Sequence, residues 1–279
     1  MNATEIASAA EAVDHVAPLN EATLMALAAG DPSRIDLSSE DAVAIAFGDA
    51  PVEIVVDPTV RRQGRGRELV DQLLAAGETQ FWAHGDLPGA HALAAAAGLR
   101  TERTLLVLRR DVSPVQDCPA PDGVTIRPST PADVDGVVAV NGRAFATHPE
   151  QGAMDRADFE RRASAAWFDW AGLFVAEHAG AVVGFHWTKI DPSTGSGQGA
   201  GIGEVYVVGV DPDQQGTGLG TALTARGLQH LIAADVSAIN LYVEGDNAPA
   251  LAVYQRLGFV EHARDVLYGF PSGGGSATE

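Results

Sequence analysis

VDPDQQGTGLG, Val210 to Gly220, sets three glycines at alternate positions immediately before an apolar run with helical spacing. The chain carries a second version, VDPTVRRQGRG, at Val56 to Gly66. Asp57 aligns with Asp211, Pro58 with Pro212, Gly64 with Gly218 and Gly66 with Gly220, at a constant offset of 154 residues. A helix N-terminus offers backbone N–H groups with no partner in the helix, together with the positive end of the dipole. Glycines let a loop wrap closely enough for those donors to converge on a phosphate or pyrophosphate. The repeated stretch reads as an anion cradle.

Other readings of such a loop compete. A Walker A loop ends in Gly-Lys-Ser/Thr, whereas Gly220 is followed by Thr221 and Ala222. A dinucleotide fingerprint needs glycine directly after the strand and a third glycine further on, but DPDQ intervenes and Thr221 stands at the wanted site. An ordinary turn and cap would suffice for one isolated loop. Duplication weighs against that, because both copies keep a strand, Asp-Pro, a polar Gln or Arg, and Gly-x-Gly opening a helix.

The offset implies two domains, and a length of 279 residues suits two. A hydrophobic content of 46% with 20% charged residues describes packed globular protein. A net charge of -19 argues against nucleic acid as a partner, since phosphate binding needs a basic face. The single cysteine, Cys118, excludes an intrachain disulfide and a cysteine-rich metal site, which fits a reducing compartment. The N-terminal MNATEIASAAEAVDHVAP does not read as a secretory signal, and no apolar run reaches the ~18 residues of a membrane span. A soluble, cytoplasmic monomer without membrane or nucleic-acid partners is expected.

DVSPVQDCPAPDG, Asp111 to Gly123, holds three prolines and little periodicity and reads as a linker. The expected domains are 1–111, linker 112–123 and 124–279. After the linker, GVTIRP reads as a strand and TPADVDGVVAVNGRAF as a capped amphipathic helix. LFVAEHAGAVVGFHWTKI reads as two strands turning near Ala179-Gly180, and GEVYVVGV as a strand running into the glycine loop. TALTARGLQHLIAA, AINLYVEGD, APALAVYQRLGF and DVLYGF complete a helix, strand, helix, strand order. The first half repeats this in shortened form, lacking a strand or two at its front. PSTGSGQGAGIG, Pro192 to Gly203, is expected to be a flexible loop. The fold class is mixed α/β: two tandem domains, each with a mostly antiparallel sheet flanked by helices.

Arg61-x-x-Gly64-x-Gly66 and Gln215-x-x-Gly218-x-Gly220, with the strand order around them, resemble the coenzyme A loop of the GCN5-related N-acetyltransferases. In that family the acyl-coenzyme A lies in a splay between two parallel strands and the loop holds its pyrophosphate. The resemblance implies acetyl-CoA as cosubstrate, with no metal. In the second half it assigns the cosubstrate to Val208, Gly209 and Val210, to Gln215, Gly216, Thr217, Gly218, Leu219, Gly220 and Thr221, and to Asn247, Ala248, Pro249, Ala250, Leu251 and Ala252. In the first half the corresponding residues are Ile54, Val55 and Val56, then Arg62, Gln63, Gly64, Arg65, Gly66 and Arg67. Arg61, Arg62, Arg65 and Arg67 crowd one short loop, so the first copy is expected to grip phosphate by charge as well.

Amide formation from a thioester needs a neutral amine and a proton for the departing thiolate. The resemblance makes Glu204, at the start of EVYVV, the general base and Tyr254, in APALAVYQRLGF, the general acid. Read alone, they are a solvated strand end and a half-buried aromatic. An offset of 160 sets Ala94 opposite Tyr254 and Leu87 opposite Asn247, so the first half is expected to be catalytically silent.

FWAHG, HPEQG, WFD, GFHWTK, GEVYVVGVDP and LYVEGDN narrow the resemblance to tandem acetyltransferases that acetylate the cysteinyl amine of a cysteine–glucosamine–inositol precursor. It implies that Glu21, Glu150, Lys189, Glu204 and Tyr242 bind this small-molecule acceptor, and that Glu21 brings the first domain into its binding. Taken singly, each is more ordinary as surface polarity. His148 and His186 make no metal case and are read as supporting or structural. Another amine acceptor, such as an antibiotic or a peptide N-terminus, or a non-catalytic acyl-CoA sensor, stays open at this level.

Overall fold

The computed structural model describes residues 2–146, 151–191 and 201–270. Contacts divide the chain into two compact units. The N-terminal unit takes the chain up to Leu106, Glu244–Asp246 and the chain from Ala263 onward; the C-terminal unit takes Val107–Val243 and Asn247–His262.

The first half runs α1 (Ala3–Asp14), α2 (Glu21–Ala29), β1 (Ile35–Asp36), β2 (Ala42–Ala46), β3 (Val52–Val56), α3 (Arg65–Ala75), β4 (Gln80–Ala83), α4 (Pro88–Ala96) and β5 (Arg100–Arg110). β1 to β3 pair antiparallel, and β3 then pairs parallel with β4. β2 is buried on both faces, as its apolar AVAIA predicts. Val43 and Ile45 meet Ile6 and Ala10 of α1, while Ala44 and Ala46 join Leu73, Phe81 and Ala94 on the opposite face. The front of this half carries α1, α2 and the two-residue β1, none of them read from the sequence.

The second half runs β6 (Val124–Pro128), α5 (Val134–Ala144), α6 (Arg156–Ala163), β7 (Leu173–His178), β8 (Ala181–Asp191), β9 (Ile202–Val210), α7 (Leu219–Ala233), β10 (Ala238–Glu244), α8 (Ala248–Arg256) and β11 (Val260–Gly269). β6 to β9 form an antiparallel meander, and β9 pairs parallel with β10. Ile202 and Gly203, expected in a loop, open β9; residues 192–200 of that loop lie outside the described residues. The end of β11 completes the N-terminal unit, with Val266 to Gly269 antiparallel to Ala83 to Gln80.

A β-bulge in β9 sorts the C-terminal core. Trp187 pairs with Val207 and Thr188 with Val205, leaving Tyr206 as the extra residue. Glu204, the register partner of Lys189, therefore shares a face with Val207, the partner of Trp187. That face packs Phe159, Phe185, Trp187 and Val207 against α5 and α6. Val208 and Val210 turn to the other face, where Leu219 and Leu223 of α7 cover them.

α7 lies close on β8 because Gly227 leaves room for the buried ring of His186, whose Nδ1–H donates to the Leu223 carbonyl at 2.8 Å. Burial lowers this imidazole to about 4, so it stays neutral. In the N-terminal unit the charge logic is reversed. His84 sits between two carboxylates, Nε2 at 2.5 Å from Glu53 and Nδ1 at 3.1 Å from Asp265. Burial alone would push the imidazole down, but Asp265 and Glu53 outweigh it and raise it to about 9. Glu53 also accepts from the Asn20 N–H at 2.8 Å, tying the start of α2 to β3.

A Cβ at position 227 would overlap the His186 ring. Gly227→Ala is expected to lower the thermal midpoint by the equivalent of ~1–3 kcal/mol, with His186→Ala in the same chain restoring part of the loss. For His84 the folded value lies above the ordinary 6.5, so its stabilisation is complete below pH 6.5 and fades as pH rises through about 9. Urea unfolding between pH 7 and 10 is expected to show a loss of about 3 kcal/mol in the wild type that His84→Gln lacks.

Candidate active site

The parallel ladder between β9 and β10 matches Ala238 with Ile202, Ile239 with Gly203, Asn240 with Glu204 and Leu241 with Val205, and stops there. β9 itself continues to Val210. Beyond Leu241 and Val205 no β9–β10 rung occurs among the described residues, although β9 runs on to Val210 and β10 to Glu244, so the pair opens there.

The glycine loop closes the end of this opening. Asp211 accepts from the Asp213 N–H at 3.1 Å and sets a 3-10 turn over Pro212–Gln214. Gly216 and Gly218 have φ of 77° and 93°, values that favour glycine. Gly218 then caps α7 without any side-chain hydrogen bond. The first helical bond runs from the Ala222 N–H to the Gly218 carbonyl at 3.1 Å, so the amides of Leu219, Gly220 and Thr221 precede the ladder and form a donor nest.

The first copy repeats this backbone closely. The β3–β4 parallel ladder consists of Val52 with Phe81 and Glu53 with Trp82, while β3 continues through Ile54 and Val55 to Val56. Asp57 accepts from the Thr59 N–H at 2.7 Å, and Gly64 caps α3 at φ 93°. The charges are a different matter. Arg61 forms two 2.7 Å bonds to Asp14, Arg65 pairs with Asp41 and Glu68, and Arg67 pairs with Asp71 and donates to the Ala96 carbonyl. Arg62, at φ 65°, is exposed and has no ion pair among the described residues. The expected grip by four cations is thus largely engaged by acidic neighbours.

Glu204 lies at the last rung but one of the β9–β10 ladder, at the apex of the opening. Lys189 of β8 and Asn240 of β10 are its register partners on either side, so Lys189, Glu204 and Asn240 form a row on one face. Arg109 donates to the Asn240 side chain at 2.7 Å. Tyr242 follows two residues after Asn240 along β10, on the same face, and is 50% exposed. Lys189 is buried, with its ammonium 5.2 Å from the centre of the Trp167 ring and 5.6 Å from that of Tyr206.

Tyr254 sits on α8 with its ring edge-on to Phe259 at 5.8 Å. Burial pushes its phenol up to about 12. It therefore stays protonated through the neutral range, but it is a weaker acid than an ordinary tyrosine, pKa ~10. Asn247 caps α8, accepting from the Ala250 N–H at 3.2 Å, and Ala248 and Pro249 form the first turn.

Glu21 is the exposed first residue of α2 in the N-terminal unit. Glu150 and His148 lie outside the described residues. His186 is a packing residue, as expected. Sequence reading missed Trp167 and Tyr206 beside Lys189; Trp167 lies outside the sheet, and Tyr206 joins Lys189 only once the pairing of Lys189 with Glu204 is known. No group of three or more His, Cys, Asp or Glu suited to a metal occurs among the described residues, and no described helix is long and apolar enough to cross a membrane.

The comparisons follow this geometry. Residues 144–259 match the model of the Acetyltransferase (GNAT) family. The chain is 48% identical to the mycothiol acetyltransferase of Thermomonospora curvata, over 95% of this chain and 92% of the relative. It is 50% identical to that of Amycolatopsis mediterranei, over 80% and 76%. Among solved structures, a GCN5-related N-acetyltransferase from Sphaerobacter thermophilus shares the fold with a TM-score of 0.66 and 20% identity, over 95% of this chain and 90% of the other. A tandem GNAT protein from the clavulanic acid biosynthesis pathway does so with a TM-score of 0.57 and 21% identity, over 84% and 79%. With a glycine nest closing a splayed pair of strands, and relatives that match almost end to end, the chain belongs to the mycothiol acetyltransferases, N-acetyltransferases of the GNAT family that act in mycothiol biosynthesis.

Proposed function

We propose that the C-terminal unit transfers the acetyl group of acetyl-CoA to the cysteinyl amine of the cysteine–glucosamine–inositol precursor. The observation that carries this is the coincidence of three features in one unit: the ladder that stops at Val205 and Leu241, the donor nest at the start of α7, and Glu204 at the apex. An extended pantetheine arm bonds to the free edge of β9 like a surrogate strand. Its pyrophosphate sits on the amides at 219–221, where backbone donors and the helix dipole supply the attraction without a basic side chain.

This arm delivers the thioester to the apex. Glu204, directly or through water, takes a proton from the acceptor ammonium, and the neutral nitrogen attacks the thioester carbon. The carbon–sulfur bond breaks as the tetrahedral intermediate collapses; the thiolate takes a proton from Tyr254, and the phenolate takes up the second proton that the nitrogen sheds on becoming an amide. With burial pushing the phenol up to about 12, Tyr254 is a weaker acid than a free thiol, pKa ~8.5, so this transfer is uphill and depends on the return of a proton to the phenolate. Lys189 and Tyr242 share the face of Glu204 and contact the hydroxyl-rich part of the acceptor. Glu21 and Glu150 complete the acceptor set by the same family reading. Asn247 and the α8 turn through Ala252 hold the arm, and the domains follow the repeat, 1–111 and 124–279.

The N-terminal unit holds a second acetyl-CoA without turning it over, because Ala94 stands where the acid would be. Arg62 is the cation still available there.

Glu204→Gln and Tyr254→Phe are each expected to lower kcat by roughly 10²–10⁴-fold, with the calorimetric affinity for acetyl-CoA little changed. Unchanged turnover in steady-state assays of either variant defeats its assigned role. Calorimetry on the full chain is expected to count two acetyl-CoA sites, one of them weakened by Arg62→Glu; a single site in the wild type refutes the second cradle. Thiol release with the cysteinyl precursor, and little with a peptide N-terminus or an aminoglycoside, checks the acceptor.

A further inference from the structure

Lys189 is the only lysine in the chain, against 18 lysines and arginines together. It is also among the most enclosed of the charged residues, at 8% exposure. Its ammonium stands 5.2 Å from the Trp167 ring centre and 5.6 Å from that of Tyr206. The two rings meet edge to face, 5.0 Å apart at 61°. Each leans on the fully buried Trp187, at 6.0 and 5.7 Å. Arg162 also approaches Tyr206, its guanidinium 5.9 Å from the ring and 3.4 Å from the hydroxyl.

We propose that Trp167 and Tyr206 form an aromatic cradle that fixes the Lys189 ammonium beside Glu204, and that both rings are positioning residues for the acceptor. The proposal rests on the reading of Lys189 as an acceptor-binding group. A lysine head on a four-carbon stem samples many positions, and holding it in one costs side-chain entropy. Two π-faces in a partly desolvated site offset that cost through attraction to the cation. A compact ammonium fits between two rings at about 5 Å, whereas a flat guanidinium stacks on one.

The strand register supports the arrangement. Alternation from Glu204, the partner of Lys189, puts Tyr206 on the same face, and the extra residue at the bulge adds Val207 to that face, over Trp187. The outcome is a three-donor cation of fixed position next to the carboxylate at the apex, ready for acceptor hydroxyl groups with little ordering left to do. A resident cation also disfavours the protonated form of an amine brought close to it, which favours the nucleophilic form.

The test combines kinetics with one spectroscopic signature. Lys189→Gln and Tyr206→Leu are each expected to raise the acceptor KM about tenfold, leaving the acetyl-CoA KM in place. The double variant is expected to be little worse than either single one, since both remove the same contact. Tyr206→Phe keeps the ring and stays within about twofold of wild type. In protein grown with 13C-lysine, a single ε-methylene signal reports Lys189; ring currents shift it upfield in the wild type, and Tyr206→Leu returns it toward the free-lysine position. If Tyr206→Leu does not fold, Trp167→Leu removes the other ring and carries the same expectations. Should Lys189→Gln raise the acceptor KM while the ring variants do not, or should the wild-type signal sit at the free-lysine position, the cradle is overturned and the acceptor role of Lys189 stands. Should Lys189→Gln leave the acceptor KM unchanged, that role falls and the proposal with it.

Discussion

The hydrogen-bond ladder between β9 and β10 stops after Val205 and Leu241, and the C-terminal unit is arranged around that stop. The cause lies one residue further on, at the bulge of Tyr206, which bends β9 and interrupts its alternation. A single inserted residue thereby does two things. It interrupts the alternation of β9 where the ladder to β10 ends, and it adds Val207 to the face that carries Glu204 and Tyr206.

The two glycine loops show which parts of such a cradle are geometry and which are charge. Both begin with an Asp that caps a 3-10 turn, and both end on a glycine at φ 93°. The backbone nest is the same in each. In the N-terminal copy Asp14, Asp41 and Asp71 engage three arginines, and the loop is braced by these pairs. In the C-terminal copy no loop cation exists, and anion attraction is left to oriented amides.

Much of this was legible in the chain. The doubled VDP…GxG loops, the alternation of β9 and the apolar run of β2 are local patterns that report local geometry directly. The helices α1, α2 and α6 were not read. The first two are rich in alanine, α2 shows almost no contrast between faces, and α6 offers RADFERRA, in which Phe159 is the one large apolar residue. The proposed acid and base rest on family resemblance, since a glutamate at a strand end and a tyrosine in a helix carry no signal alone. The aromatic surroundings of Lys189 could not be read, because they depend on the register of β8 against β9 and on a ring from another segment. The raised phenol of Tyr254 likewise follows from enclosure, which spacing does not encode.

The last strand has a consequence for how the molecule comes into being. Val266 to Gly269 supply the antiparallel neighbour of Gln80 to Ala83, and Asp265 supplies one of the two carboxylates that clamp His84. During translation, the N-terminal half emerges long before these residues exist, so it must wait, incompletely hydrogen-bonded, until they too have left the ribosome. A cut in the connecting segment would yield two fragments of which the earlier one lacks its closing strand.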